Sequence, residues 1–288
     1  MRLYRGSGCR PLFILGAPRS GTTLTYQLLC HAYRLAYLTR YMSDLYGLHG
    51  LLYALSRPFL QQAPAVFSSS YGRVPGSFLP AESGNLWSRW LPWRAGTGHR
   101  VEPEAAAKQI CADLHEHLSA LQAIGGRPFA FKSVYLSLGA GFLARCLPEA
   151  RFIRVLRDEF DTAASIYRGR CERKDPAAWW SVIPPNVEEL IHEPLCRQVA
   201  EQVGQVNATL EEDLQQYAPG RFLDVSYEEL CDSPRRVMGR LDEWLKAAGY
   251  EINPERTIPD HLRRPVKERL GSGVAECIRQ HLEKAGGA

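Results

Sequence analysis

Eight consecutive residues, Gly16, Ala17, Pro18, Arg19, Ser20, Gly21, Thr22 and Thr23, carry the densest chemical signal in the chain. They follow an apolar run of strand length, Leu12, Phe13, Ile14 and Leu15, and open a helical pattern over residues 21–33. Amides at the start of a helix point outward unpaired, and the helix dipole adds positive potential there. A phosphate seated on them collects several hydrogen bonds at once. Gly16 and Gly21 allow close backbone approach, Ser20, Thr22 and Thr23 offer hydroxyls, and Arg19 adds a fixed positive charge. The segment is expected to bind a phosphate-bearing ligand.

The spacing is that of the Gly-x4-Gly-Lys-Ser/Thr loop of nucleoside triphosphatases, but Thr22 stands where that loop has its lysine. The lysine grips the β- and γ-phosphates, so its absence points away from ATP or GTP hydrolysis. A small-molecule kinase on this loop stays an alternative, as does a non-catalytic nucleotide-binding protein. A second cationic group lies downstream. Arg157 follows the apolar stretch 152–156, and Ser165 lies eight residues later in the next helical pattern. Arginine offers forked donors to a phosphate and serine adds a hydroxyl. Taken alone, Arg157 and Asp158 read better as a surface ion pair or a helix-entry cap.

Together these residues resemble the PAPS-dependent sulfotransferases, which use 3′-phosphoadenosine-5′-phosphosulfate (PAPS). Residues 18–23 resemble the family's 5′-phosphosulfate loop. Arg157 and Ser165 resemble its 3′-phosphate element. Lys132, ending an apolar run at Phe129, Ala130 and Phe131, resembles the lysine that approaches the leaving oxygen. Tyr227, within Val225, Ser226, Tyr227, Glu228, Glu229 and Leu230, resembles a tyrosine that contacts the cofactor in the protein-tyrosine branch. The resemblance implies transfer of a sulfuryl group from PAPS to an acceptor hydroxyl, on a carbohydrate or other small metabolite, with release of adenosine 3′,5′-bisphosphate (PAP). Arg19 and Lys132 would stabilise charge, and Ser20, Gly21, Thr22 and Thr23 would hold the 5′-phosphate.

Two departures place the chain nearer the bacterial, carbohydrate and tyrosyl-protein branches than the cytosolic small-molecule branch. Arg19 replaces that branch's loop lysine, and Arg263, Arg264, Pro265, Val266 and Lys267 stand where it has a Gly-rich stretch with Trp-Lys. Arg263, Arg264 or Lys267 either close over the cofactor or form a solvated basic face. Glu82, in the stretch Pro80, Ala81, Glu82, is the first choice for the base that takes the acceptor proton, with Asp44, His31 and His99 as weaker choices. Its plain reading is an exposed carboxylate at the start of a helix over residues 86–90. Trp87, Trp90 and Trp93 would stack on an acceptor or, more in keeping with tryptophan's burial, pack in the core.

The elements that must position these groups read as an α/β fold. Apolar strands near residues 12–15, 129–131, 152–156 and 222–225 alternate with helical patterns near 21–33, 136–146, 160–168 and 234–248. This predicts a P-loop-like three-layer sandwich, a central parallel sheet with helices on both faces. Two more helices are expected, one starting at Pro103 with Ile110, Leu114, Leu118 and Leu121, and one through Val199, Val203, Val206, Leu210 and Leu214. Residues 40–100 show no clean period and read as an acceptor-side insertion in a single domain over residues 1–288. Residues 170–186 read as a second such loop. A net charge of +4 on 288 residues, with no basic run, gives no indication of nucleic-acid binding. No signal peptide or membrane span is read, so a cytoplasmic location is expected. Eight cysteines lack metal-ligand spacing and suit reduced, buried thiols without a bound metal.

Overall fold

The computed structural model describes residues 9–40, 42, 45, 48–60, 67, 76, 78–91, 98–264 and 270–285. Four parallel strands form one sheet in the order β2-β1-β3-β4, with β1 at Leu12–Leu15, β2 at Ala130–Lys132, β3 at Arg151–Leu156 and β4 at Phe222–Ser226. Every residue of β1 and β2 is buried, as expected for a parallel sheet covered on both faces. The ring of Phe13 stacks on Phe131 and Phe152 at 5.7 and 5.5 Å, and Trp87 leans on it at 5.6 Å.

Helix α1 (Thr22–Tyr33) carries the chain from β1 to β2, in one direction across the sheet. Helix α5 (Ala140–Cys146) leads from β2 to β3 in the opposite direction. Right-handed crossovers then put α1 and α5 on opposite faces. Helices α6 (Glu159–Cys171) and α8 (Leu195–Tyr217), between β3 and β4, join the α5 face. Helix α10 (Pro234–Ala247) joins the α1 face, where the Tyr33 hydroxyl donates to the Met238 carbonyl at 3.0 Å. The carboxyl ends of β1 and β3 therefore flank a topological switch point, where open α/β sheets leave a crevice for ligands.

The insertion contains more helix than expected. Helix α2 runs over His49–Leu60, and a four-residue helix α3 over Gly84–Trp87. The outer side of α2 exposes Leu51, Leu55 and Phe59, which removes the polar–apolar contrast that periodicity reads. Around it, Ala36 bridges Phe129 in parallel and Thr39 bridges Pro80 antiparallel, so residues 36–39 run beside β2 and bring residues 80–82 alongside.

The helix expected from Pro103 starts later. Pro103–Ala105 forms a 3-10 turn, Ala106 and Ala107 break it, and α4 runs over Lys108–Gly125. The helix expected near 136–146 begins as a 3-10 stretch at Val134–Gly139 before α5. Residues 172–186 contain no helix or strand, and a four-residue helix α7 follows at Val187–Leu190. Helix α9 covers Tyr227–Asp232, and α11 covers Ser272–Ala285.

The expectation of reduced thiols is corrected. Cys111 bonds Cys146, tying α4 to α5, and Cys196 bonds Cys277, tying α8 to α11. Sequence spacing did not show these pairs because each bond joins helices that the fold alone brings together. Cys9, Cys30 and Cys231 are free and buried, and Cys171 is free and exposed. Among the described residues, no helix is long and apolar enough to cross a membrane.

Candidate active site

The loop between β1 and α1 is held open toward a ligand. Gly21 caps α1 in a left-handed conformation (φ 99°), and no side chain caps the helix. No acidic residue occupies its first turn. Free amides and an uncompensated dipole result, which is the requirement for an anion seat. A Cβ on Gly21 would run into the Tyr227 ring, and one on Gly16 would lie 2.6 Å from the Val155 carbonyl oxygen. Ser137 locks the base of the loop, accepting from the Gly16 amide at 3.0 Å and donating to the Gly16 carbonyl at 3.0 Å. Ser20, Thr22 and Thr23 are buried, and the Ser20 Oγ has no hydrogen-bond partner among the described residues. A buried hydroxyl without a partner is costly, and a phosphate oxygen would satisfy it.

Arg19, Arg157 and Ser165 meet. The Arg157 Nη1 donates to the Arg19 carbonyl at 2.9 Å, and the Arg19 Nε donates to the Ser165 Oγ at 3.1 Å. Arg19 holds φ 69°, a left-handed backbone that a non-glycine residue adopts at a cost. The Arg157 guanidinium lies over the Tyr227 ring, 4.9 Å from its centre. Burial, and secondarily the neighbouring Cys231, pushes the Tyr227 phenol up to about 12, so it stays a neutral hydrogen-bond donor. Asp158 does something else. It caps α6 by accepting from the Asp161 amide at 2.8 Å, so the cap reading holds for Asp158 and not for Arg157.

On the other side of the loop, Lys132 ends β2 directly beside Ile14 in the sheet register. Its side chain is 3% exposed, and its Nζ is paired with the Glu82 Oε1. Glu82 lies ahead of α3 rather than in its first turn, and is half-buried rather than exposed. The other base candidates separate from this centre. His31 occupies the last turn of α1, roughly 14 Å along the helix from Thr22 at a rise of ~1.5 Å per residue, and its Nε2 bonds the Thr257 carbonyl. The His99 Nδ1 accepts from the Ile183 amide at 2.8 Å, and burial brings the ring down to about 4. His99 is therefore neutral with its proton on Nε2, and neither nitrogen has a free lone pair for a base. Asp44 lies outside the described residues.

A family model described as the sulfotransferase family matches residues 11–251. The chain belongs to the sulfotransferase family. It is an enzyme of that class. No curated protein matches it. Two solved structures share its fold. The sulfotransferase STF9 from Mycobacterium avium aligns with a TM-score of 0.54 at 19% identity, over 97% of this chain and 69% of that one. The sulfotransferase STF1 from Mycobacterium tuberculosis H37Rv aligns with a TM-score of 0.50 at 14% identity, over 98% and 74%.

In this sulfotransferase, Trp87 and Trp90 are buried in the core, and the Trp90 Nε1 donates to Asp113 at 2.7 Å. Trp93 and Lys267 lie outside the described residues. Arg264 pairs with Asp232 and donates to the Glu228 carbonyl at 3.0 Å, which lays its segment along α9 beside Tyr227. Arg263 is exposed. Sequence reasoning missed Ser137 and Tyr135. Ser137 sits in an apolar run with no motif around it. Tyr135 shows itself only through the fold, where burial and then the Glu82 charge raise its phenol. Among the described residues, no three His, Cys, Asp or Glu side chains gather as a metal site.

Proposed function

We propose that this sulfotransferase takes PAPS as donor and moves its sulfuryl group to an acceptor hydroxyl, on a carbohydrate or other small metabolite, releasing PAP. The observation that carries the donor assignment is the junction of Arg157, Arg19 and Ser165, which joins the loop at the end of β1 to the cationic group at the end of β3. One nucleotide lying across this switch point would present its 5′ group to the loop and its ribose phosphate to Arg157 and Ser165. The residues suit it. The Ser20 hydroxyl, unpartnered among the described residues, and the uncapped amides of α1 are donors suited to anionic oxygens, and the Arg19 and Arg157 guanidiniums add positive charge beside them.

The transfer is written with Glu82 as base. The carboxylate takes the acceptor hydroxyl proton, the acceptor oxygen forms a bond to sulfur, and the sulfur–oxygen bond to the 5′-phosphate breaks with its electron pair left on the phosphate. Lys132 and Arg19 neutralise that developing charge. For location, the two disulfides weigh toward an oxidising setting over the cytoplasm expected from sequence.

The test supplies sulfur-labelled PAPS to the purified protein with a panel of sugar, phenol, lipid and peptide hydroxyl acceptors. Label transfer with stoichiometric PAP release is the expected result. Magnesium-dependent consumption of ATP with no use of PAPS would replace this reading with the kinase.

A further inference from the structure

The Lys132–Glu82 pair has a consequence for the order of events, and it rests on the donor reading above. The two residues proposed to work at opposite ends of the transfer, one on the leaving oxygen and one on the acceptor proton, are bonded to each other. Lys132 is almost fully enclosed and Glu82 is its counter-charge, whereas Glu82 remains partly open. A buried ammonium without an anion is strongly unfavourable, so Lys132 leaves Glu82 only for another anionic oxygen. The ammonium is a compact donor on a flexible stem, suited to such an exchange. It stands at the carboxyl end of β2, next to the strand that feeds the phosphate loop, so a donor ester seated on the loop brings that second oxygen within its side of the crevice. Glu82 in turn gives one of its two oxygens, Oε1, to Lys132 as long as the pair persists.

We infer that Lys132 and Glu82 form a donor-operated latch: the sulfuryl ester of the bound donor takes Lys132 away from Glu82, and the carboxylate oxygen that held Lys132 is released toward the acceptor hydroxyl. The latch couples the carboxylate to the donor through Lys132. It also means that the free enzyme binds donor against its own carboxylate. Donor affinity is reduced by the fraction of molecules in which Lys132 is already engaged.

This yields a result opposite to that of an ordinary site mutation. Glu82→Gln removes the competing charge but keeps an oxygen acceptor and the side-chain size. In calorimetric titrations without acceptor, Glu82→Gln is expected to bind PAPS roughly fivefold or more tightly than the native enzyme, the inverse of an open fraction of about one in five. Its gain for PAP, which lacks the sulfuryl group, is expected to be smaller. In turnover, kcat is expected to fall while the KM for PAPS falls with it. Glu82→Asp, which keeps the charge on a shorter arm, gives an independent check, with PAPS affinity between those of the native enzyme and the Gln variant. Far-ultraviolet circular dichroism of both variants confirms their folding. If the native enzyme binds PAPS and both variants bind it equally or more weakly, the latch is wrong and the donor assignment stands. If the native enzyme binds neither PAPS nor PAP, the donor assignment fails and the latch falls with it.

Discussion

Arg19 holds two properties that oppose each other. Its guanidinium reaches Ser165, and its backbone sits at φ 69°. Glycine adopts that conformation without a steric cost, so Arg19→Gly is expected to melt no lower than the native protein while losing donor binding. A melting curve beside a PAPS titration checks both halves. Arg157→Ala removes the other guanidinium and is expected to weaken PAP and PAPS by about 2–5 kcal/mol, the range for a buried charged contact. Unchanged calorimetric affinity would take Arg157 out of the site. The shape of the loop was legible in sequence because each of its residues follows a local rule, glycine where backbone approach is close and hydroxyls at a helix start, whereas Arg157 and Ser165 stood out only through the resemblance. Ser137 and Tyr135 were not legible: Ser137 works through a 3-10 stretch folding back onto a loop more than a hundred residues earlier, and Tyr135 stands out only through its nearness to Glu82 in the fold. Choosing among Glu82, His31 and His99 likewise needed the fold, since nothing local distinguishes a carboxylate facing Lys132 from one facing water.

Strands and most helices follow from apolar runs and their period, and β1 agrees with its sequence expectation residue for residue. The misses share a cause. Helix α2 exposes apolar side chains, so its pattern carries no face; the start of α4 moved because Pro103 opened a separate 3-10 turn. The two disulfides depend on contacts between helices, which no spacing rule encodes. The Cys196–Cys277 bond fastens α11 to α8, where Ile278 is also buried and the Arg279 guanidinium lies 4.5 Å over the Phe160 ring of α6. Serine at both cysteines is expected to cost about 2–4 kcal/mol, the usual worth of a bond closing a long loop. Denaturant unfolding of the double variant, against the native protein with and without reductant, measures it. The same variant is expected to retain PAPS binding, since none of the residues holding the donor lies on α11.

Full or partial burial disfavours the charged form of several imidazoles. Burial lowers His31, His49, His99 and His117, with His99 reaching about 4 from 6.5. The unfolded chain takes up protons at these rings first, as pH falls below the ordinary imidazole range. The folded chain resists until pH nears the lowered values. Stability is therefore complete above that range, declines as pH falls from 6.5 toward 4 for His99, and loses no more from this group below it. Urea unfolding at about pH 7.5 and about pH 4.5 is expected to show the decline, and His99→Gln to shrink it, because glutamine does not titrate. His99 also joins residues 98–101 to residues 181–183 through paired bonds with Ile183, so the same substitution reports on how those two loops are held. The Cys196–Cys277 bond has one more outcome, seen only when the backbone is broken. A protease cutting once after Arg256 would leave two polypeptides that still migrate together on a gel, because the sulfur bridge spans the nick. Adding dithiothreitol before electrophoresis would separate them into a large fragment and a small one.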